Sequence, residues 1–427
     1  MTLSELTLLR SIKNNKATQI FLLLMLTYGL FAYDRLGRAR SNNHFAYLAQ
    51  AFLNGQTYLT KKPPHGNDWA SYEVITLSSK AQVRLSEQLG RELGEVSGIY
   101  PPRLSGRAYR PTEFKTLRGE YVKIRKGDIK SKVRRYFVSF PPLPALLLLP
   151  FVAIFGLATS DVWFTLFFAA LNGSIALSTF RRFLLAMPNS NQEDDEKSAF
   201  WLALSLCLGT AHFWCAVRGE VWFTALILGV ACQLLFFRWA WYLRRPLLAG
   251  FAYAAAFSTR ASLITLAAFA YLQVLSPKVH PKVRERVRKL AIFSLPPLGI
   301  GLSLLLYNAH RFDQWHEFGH RYLAGGQLKR IAEYGLFHWV FVKKNVIAAF
   351  ALLPMFSLSA PLMTYSWHGM ALQFSSPHLM LACKPAPMTD DMKGLRRGLI
   401  VVVVSTFVLL ILYQNTGWVQ YSWRFSL

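Results

Sequence analysis

The sequence predicts an all-α polytopic membrane protein with about nine transmembrane helices and a small mixed α/β loop domain outside the cytoplasm. Hydrophobic residues make up 53% of the 427 residues and charged residues only 16%, which is typical of a membrane protein. Several apolar runs approach the ~20 residues that a helix needs to cross a bilayer. Residues 36–140 contain no such run, and they therefore predict a folded domain outside the membrane.

The strongly basic composition indicates an anionic partner. The chain has 48 Lys and Arg residues against 22 Asp and Glu, which gives a net charge of +26. In a soluble protein this balance would suggest nucleic acid. Here much of the charge lies in loops between apolar runs. The expected partners are therefore anionic lipids or a phosphate-bearing lipid substrate, and not nucleic acid.

Residues 1–35 are predicted to form the cytoplasmic N-terminus and the first transmembrane helix. Arg10 and Lys16 precede the apolar run Ala17–Tyr33, and basic flanks mark the cytoplasmic side by the positive-inside rule. Because the run lacks a small-residue cleavage site, we expect a retained helix and not a removed signal. The chain then reaches the outer side near Asp34.

Residues 36–140 are predicted to form a large extracytoplasmic cap. Three short runs have the composition of strands: Tyr72–Leu77, Tyr121–Arg125 and Arg135–Phe140. Turn clusters such as PPHGND and YPPRLSG separate them. The basic charge of the cap does not oppose an outer position, because long loops are translocated largely regardless of charge.

Residues 141–157 are predicted to form a juxtamembrane or re-entrant helix, because the run is short for a span and rich in proline. If it crossed the membrane, the basic pairs Arg181–Arg182 and Arg244–Arg245 would lie outside. If it does not cross, these pairs and the basic segment Pro277–Lys289 lie in the cytoplasm, as the positive-inside rule favours for short loops.

The rest of the chain divides into a helix bundle at 158–307, a second extracytoplasmic loop at 308–344, and C-terminal helices with an outer tail at 345–427. Two short spans flank Arg260, which predicts helices that meet within the protein, away from lipid. The chain ends without a closing charge cluster, as expected of a truncated product. After the first span, the predicted spans are Asp161–Phe180, Ser198–Val217, Val221–Leu243, Pro246–Thr259, Ala261–Ser276, Leu290–Tyr307, Asn345–Met363 and Gly398–Tyr413.

On this topology, ionisable and polar side chains collect at the outer ends of the helices. Such residues converging from several helices are typical of a functional site, although each one alone is also explained as an anchor at the headgroups. The residues are Asp34, Arg218, Glu220, Arg260, those from His310 to Arg321, Trp418, Gln420 and Arg424.

Four features follow one another in a recognisable order. The outer loop contains the helix-like SNNHFAYLAQAFLNGQ with its closing Gly55, and a proline-rich segment follows at Phe140–Pro144. An acidic residue, Glu220, then lies in RGEVWF, and a helix break carries Arg260. This order resembles that of the GT-C glycosyltransferases, integral membrane enzymes. The resemblance implies a bacterial inner-membrane enzyme that takes a sugar from a polyprenyl-phosphate carrier.

The resemblance also implies a catalytic carboxylate at the head of the outer-loop helix, where this chain has Ser41–Asn43. Hydroxyls and amides cannot accept the proton of an attacking hydroxyl near neutral pH. Asp34, seven residues upstream of Ser41, is a candidate replacement, and Asp68 and Glu73 are others that could fold back to the site. The resemblance makes Glu220 the second acidic residue of the site.

Arg218, Arg260 and Arg424 are the predicted ligands of the carrier phosphate, because a guanidinium binds phosphate in a bidentate fork. A divalent metal is the alternative means of neutralising the departing phosphate. His44 and Trp69 in the cap are further candidates for substrate binding. The Trp69 ring is suited either to stacking on a sugar or to packing within the cap.

A competing motif, His316-Glu317-Phe318-Gly319-His320, matches H-E-x-x-H. On a helix, His316 and His320 would share one face and could bind zinc, with Glu317 as general base and His310 or Glu333 as a third ligand. Gly319 disfavours that helix. The other explanation is a polar loop packed on the cap.

Three functions thus remain open on the sequence alone. They are a GT-C-like glycosyltransferase acting at the outer face of the membrane, a membrane zinc peptidase, and a non-catalytic relative with a lipid-binding or assembly role. The first depends on an analogy of fold.

Overall fold

The structure is a computed structural model of the chain, and it is mostly helical with a small antiparallel sheet. It describes residues 15–37, 42–65, 68–101, 113–187, 190–275, 282–323, 326–383, 390–417, 420, 421 and 423.

The helices follow the apolar runs and the amphipathic segments of the cap. Short 3-10 helices connect several of them. The α-helices are α1 (Lys16–Phe31), α2 (Tyr33–Leu36), α3 (His44–Leu53), α4 (Ser79–Leu89), α5 (Leu143–Phe155), α6 (Asp161–Leu184), α7 (Gln192–Leu208), α8 (Ala211–Ala216), α9 (Glu220–Ala240), α10 (Pro246–Phe257), α11 (Ala267–Leu275), α12 (Val283–Phe312), α13 (Gly326–Tyr334), α14 (Val342–Phe350), α15 (Leu372–Ser375) and α16 (Asp390–Ile411).

Five strands form one antiparallel sheet in the order β4-β3-β2-β1-β5. Each of the three predicted β-type runs overlaps one of these strands: the first lies within β1, the second extends beyond β4 and the third beyond β5. The strands are β1 (Trp69–Leu77), β2 (Glu95–Ile99), β3 (Glu113–Thr116), β4 (Tyr121–Lys123) and β5 (Ile129–Val138). A separate two-stranded hairpin joins β6 (Met355–Phe356) to β7 (Met363–Thr364).

The chain forms two compact units. The helical unit contains residues Met1–Asn43, Ala158–Ile300 and Trp339–Leu427. The sheet unit contains His44–Leu157 and Gly301–His338.

The core of the helical unit is built by α1, α6, α7 and α9, which bury small and aliphatic residues against one another. At Gly173 of α6, an added Cβ would lie 2.2 Å from Leu24 of α1, so that glycine permits the close approach of these two helices. Lys16 at the start of α1 and Arg181 near the end of α6 both pair with Glu196 of α7, at 2.9 and 2.6 Å. The start of α1, the end of α6 and the start of α7 therefore lie at the same end of the unit.

Within the described residues, four helices are long and apolar enough to cross a membrane, fewer than the nine predicted from sequence. Further apolar helices, such as Lys16–Phe31 and Pro246–Phe257, are shorter. The four are Asp161–Leu184, Glu220–Leu243, Val283–Phe312 and Met392–Ile411.

Two other predicted spans differ from single long helices, and a predicted break between two more is confirmed. The prediction at Asn345–Met363 is wrong: α14 ends at Phe350, and the β6–β7 hairpin follows. The prediction at Ser198–Val217 is interrupted after Leu208, where α7 ends and the short α8 begins. The break at Arg260 is confirmed, because a 3-10 helix follows it and precedes α11.

The sheet unit has its own core. Ile75, Leu85 and Phe114 are fully buried between the sheet and α4. The predicted outer-loop helix is confirmed as α3. Gly55, just after its end, has the left-handed conformation (φ +68°) that glycine favours. The proline-rich segment forms α5, which packs on α3.

Candidate functional site

Two carboxylates lie together at the end of the helical unit opposite Lys16. Asp161 begins α6, Glu220 begins α9, and their relative exposures are 1% and 7%. The backbone N–H of Glu220 donates to Asp161 Oδ2 at 2.6 Å. A carboxylate is favoured at a helix N-terminus by the helix dipole, but burying one costs free energy unless it is hydrogen-bonded. Two buried carboxylates at adjoining helix starts are therefore unusual for a purely structural contact.

The turn before α9 holds this pair in a strained conformation. Gly219 has φ +67° and ψ −145°, and Glu220 has φ +68°. A Cβ at position 219 would lie 3.0 Å from Val162 Cγ2 and 3.2 Å from Asp161 Cγ, so only glycine fits without displacement. A positive φ at a residue other than glycine is uncommon and often marks a functional position.

The asparagines at which the resemblance expects a catalytic acid lie beside this pair. The carbonyl oxygen of Asn42 accepts the N–H of Val221 at 3.1 Å, and Asn43 Nδ2 donates to the Thr159 carbonyl at 2.9 Å. The outer-loop helix head thus meets the starts of α6 and α9. We call Asn42, Asn43, Asp161, Gly219 and Glu220 the carboxylate cluster.

Two arginines lie in the segments that lead into the cluster. Arg35 Nη1 donates to the Val217 carbonyl at 2.9 Å. The Arg218 guanidinium lies 4.7 Å from the Trp214 ring centre, a cation–π contact that holds a cation next to Gly219. Asp34 pairs with Arg35 at 3.5 Å and its side chain is half exposed, so it belongs to the same end of the unit but remains open to solvent.

Polar side chains continue from the cluster into the helix bundle. Thr165 Oγ1 donates to the Asp161 carbonyl at 2.7 Å and contacts Thr224 Oγ1 at 2.7 Å. Farther along, Asn172 Nδ2 contacts His212 Nε2 at 3.0 Å, and neither residue is exposed. Polar groups inside a membrane bundle are expensive and commonly functional.

Sequence reasoning missed Asp161, Asn172 and His212. Asp161 was taken only as the start of a span, because an acidic residue there is an ordinary helix-capping signal. Asn172 lies within the apolar run of α6. Its amide could have indicated a buried polar contact from the sequence, since an amide in a span needs a partner inside the protein.

Arg260 is the N-cap residue of the 3-10 helix Ala261–Leu266 and is partly buried in the helical unit. Its neighbour Thr259 is fully buried, and a Cβ on Gly229 of α9 would lie 3.4 Å from Thr259 Oγ1. The break at Arg260 therefore packs on α9, the helix that begins with Glu220. Arg424 lies outside the described residues.

The three candidate residues of the cap lie in the sheet unit. His44 and Trp69 are buried and stack on each other, with ring centres 4.3 Å apart and planes at 14°. His44 therefore covers one face of the Trp69 ring. Asp68 Oδ1 accepts a hydrogen bond from Gln327 Nε2 at 2.8 Å.

The helix required for a zinc-binding H-E-x-x-H motif is absent from this described segment. Gly319 has φ +91°, and His320 begins a 3-10 helix of three residues. Glu317 is buried, and its Oε1 accepts the Gly319 N–H at 2.8 Å. The helix that the zinc hypothesis requires is therefore not formed. Glu317 instead stabilises a turn, as the alternative explanation of a polar loop predicts.

His320 is a strongly perturbed ionisable group of this loop. Burial lowers its pKa to about 4, and the Asp68 charge opposes that shift. Its Nδ1 atom is buried and has no hydrogen-bond partner among the described residues.

The residues that the structure describes contain no group of three or more His, Cys, Asp or Glu side chains placed to hold a metal ion. At the carboxylate cluster, Asp161 and Glu220 are the two carboxylates, and Asp161 Oδ2 already accepts a backbone N–H. The Arg218 guanidinium is a cation that lies beside the cluster. No protein-family model, curated protein or solved structure matches this chain.

Proposed function

We propose that the protein is a membrane-embedded glycosyltransferase that moves a sugar from a polyprenyl-phosphate carrier to an acceptor at the outer face of the bacterial inner membrane. The observation that supports this most is the buried pair of Asp161 and Glu220 beside Asn42 and Asn43. The resemblance to GT-C enzymes implies a carboxylate at that place, and two carboxylates from other helices lie beside it.

The chemistry assigns different roles to the two carboxylates. In the transfer, the acceptor hydroxyl attacks the anomeric carbon, the bond from that carbon to the phosphate oxygen breaks, and the hydroxyl proton passes to a base. Glu220 is the proposed base, because it is a buried carboxylate at the start of α9, next to the contact between Asn42 and Val221. Asp161 is a positioning residue, since its Oδ2 fixes the Glu220 backbone. Neither Asn42 nor Asn43 can take the proton.

The departing polyprenyl phosphate needs neutralisation of its charge, and we assign this to arginine. Arg218 is held over Trp214 next to the strained turn. We assign the second charge to Arg260, which lies deeper in the helical unit, where its helix break packs on α9 near Gly229. Guanidinium groups bind phosphate oxygens through paired hydrogen bonds. No step of this mechanism passes through a metal ion.

The proposal includes a topology. The end of the helical unit with Lys16 and Arg181 is placed in the cytoplasm by the positive-inside rule, which puts Asp161 and Glu220 at the outer face. Anionic lipids then surround the basic end.

One observation favours a second candidate, a non-catalytic membrane protein with a lipid-binding or assembly role. The hydrogen bond from the Glu220 N–H to Asp161 stabilises a strained turn. The burial of Asp161 thus has a structural explanation that requires no chemistry.

The experiment that separates the two uses membranes containing wild-type protein, Glu220→Gln or Asp161→Asn. The probes are a polyprenyl phosphate carrying a radiolabelled hexose and one carrying a pentose. We expect Glu220→Gln to lower the transfer rate about 100-fold or more, the scale of a lost general base, without lowering the amount of folded protein. The matched control is Glu193→Gln, which neutralises an exposed carboxylate at the start of α7.

Two results would decide against transferase activity at this cluster. If both variants transfer sugar at the wild-type rate, Glu220 is not the general base. If no probe is transferred by the wild type, while Asp161→Asn still lowers thermal stability, the non-catalytic candidate is supported.

A further inference from the structure

A second polar site lies at the opposite end of the helical unit from the carboxylate cluster. A cavity of about 410 Å³ there is lined by Arg181, Arg182, Arg238, Arg244 and Trp241, together with small and aliphatic residues. It contains no acidic lining residue. The volume is more than ten times the ~30 Å³ that a water molecule takes up in the liquid, so it has room for a substituted phosphate group.

Backbone contacts hold two of the arginines in place. Arg182 Nη1 donates to the Arg238 carbonyl at 2.8 Å, and Arg238 Nη1 donates to the Ser178 carbonyl at 2.6 Å. A guanidinium has five N–H donors, and these contacts use one from each side chain. The contacts join α6 to α9, and they fix two positive groups at the cavity wall.

The positive charges of the cavity are close enough to repel one another. Arg182 experiences the charges of Arg238, Arg244 and Arg245. Of the lining arginines, Arg181 pairs with a carboxylate, Glu196, at 2.6 Å. Like charges at short range destabilise a fold, so this arrangement is most stable when an anion lies among them.

A buried tryptophan and a strained turn complete the wall of the cavity. The Trp241 side chain lines the cavity and is only 3% exposed. The next two residues, Tyr242 and Leu243, have φ +57° and +45°, a strained turn that places Arg244 at the cavity. Anchoring of arginines at the headgroups explains basic helix ends, but it does not explain guanidinium groups that are hydrogen-bonded to carbonyls in the wall of a cavity.

We propose that this cavity binds a phosphate group, carried either by an anionic phospholipid or by a soluble phosphate compound. The phosphate oxygens accept hydrogen bonds from the arginines, which retain further N–H donors beyond those bonded to carbonyls, and the phosphate charge offsets the repulsion between them. The cavity shares its end of the unit with Lys16, which the positive-inside rule places in the cytoplasm. Basic pockets between membrane helices on that side commonly bind lipid headgroups. This site does not depend on the proposed glycosyl transfer.

The test uses full-length protein in phosphatidylcholine nanodiscs, with radiolabelled phosphatidylglycerol as the lipid probe and inorganic phosphate and pyrophosphate as soluble probes. The variants are the double variant Arg181→Gln with Arg244→Gln, which leaves the two carbonyl-bound arginines unchanged, and the single variant Arg244→Gln, which also keeps the Arg181–Glu196 ion pair. Arg284→Gln is the control, because it removes an exposed positive charge from α12, outside the cavity.

For a lipid ligand, we expect phosphatidylglycerol affinity to fall about fivefold for each arginine removed and to remain unchanged in Arg284→Gln. For a soluble ligand, phosphate or pyrophosphate binds in the absence of phosphatidylglycerol and is lost in the same variants. If the double variant does not fold, the single variant Arg244→Gln decides. Equal binding of every probe by the wild type, the cavity variants and Arg284→Gln would overturn the proposal.

Discussion

The turn before α9 offers the sharpest test of how the carboxylate cluster is held. Gly219→Ala places a Cβ in a backbone conformation (φ +67°, ψ −145°) that L-residues rarely adopt, 3.0 Å from Val162 Cγ2. The backbone term costs roughly 1–3 kcal/mol and the crowding roughly 1–3 kcal/mol. We therefore expect the free energy of unfolding to fall by about 2–6 kcal/mol.

The same substitution has a functional consequence. The added methyl group lies 3.2 Å from Asp161 Cγ, so relief of the clash separates Asp161 from the Glu220 N–H. We expect sugar transfer to fall even in the fraction that remains folded, and the assay is thermal unfolding in detergent alongside transfer in membranes.

Gly299→Ala is the matched control for this experiment. Gly299 lies within α12, and a Cβ there would have no atom within 4 Å. Replacing a helical glycine by alanine stabilises by up to about 1 kcal/mol. If Gly219→Ala is as stable and as active as Gly299→Ala, the turn is not the constraint described here.

Three further predictions concern the sheet unit. Buried Glu73 pairs with Lys132 and a neighbouring arginine of β5; burial opposes ionisation of Glu73, but these pairs hold its pKa below the ordinary value. Above about pH 4.3, Glu73→Gln should lower the free energy of unfolding by about 1–3 kcal/mol. The difference from wild type should vanish as pH falls through the lowered pKa of Glu73. His320 has a pKa of about 4 when folded and about 6.5 when unfolded, so wild type should lose stability as pH falls from about 6.5 to 4, whereas His320→Gln should lose less. Gly98→Ala puts a Cβ 2.0 Å from the Lys115 carbonyl oxygen and should destabilise the sheet by about 1–3 kcal/mol or more.

Each of these predictions has a control in the same unit, read out by thermal unfolding across pH. Glu87→Gln neutralises an exposed carboxylate of α4, His316→Gln removes an exposed imidazole, and Gly94→Ala adds a Cβ that meets no atom within 4 Å. A variant that behaves like its control, in stability and in pH dependence, refutes the contact assigned to it.

The long helices could be predicted from sequence because their signal is local. The apolar runs that begin at Asp161 and Val221 match α6 and α9 within a few residues. The span predicted at residues 345–363 is wrong because average hydrophobicity does not distinguish a membrane span from a short helix followed by an apolar hairpin. Pro354 and Pro361 were the available signal, since proline ends or bends a helix.

The candidate site was only partly predictable for a different reason. Glu220 and the amide-rich helix head at Asn42 and Asn43 were identified from the order of motifs. Asp161 was not, because its role depends on the Glu220 N–H, 59 residues away in the chain. Such long-range pairing leaves no periodicity in the sequence, and burial of a helix-start carboxylate is visible only in three dimensions.

The most direct test of the central claim is the transfer rate of Glu220→Gln per folded molecule, with a radiolabelled polyprenyl-phosphate sugar as donor. The structure places the Glu220 carboxylate in a buried cluster held by Asp161. Loss of a general base predicts a rate about 100-fold or more below wild type, with thermal unfolding little changed. A variant that transfers sugar at the wild-type rate would contradict the assignment of Glu220 as the base.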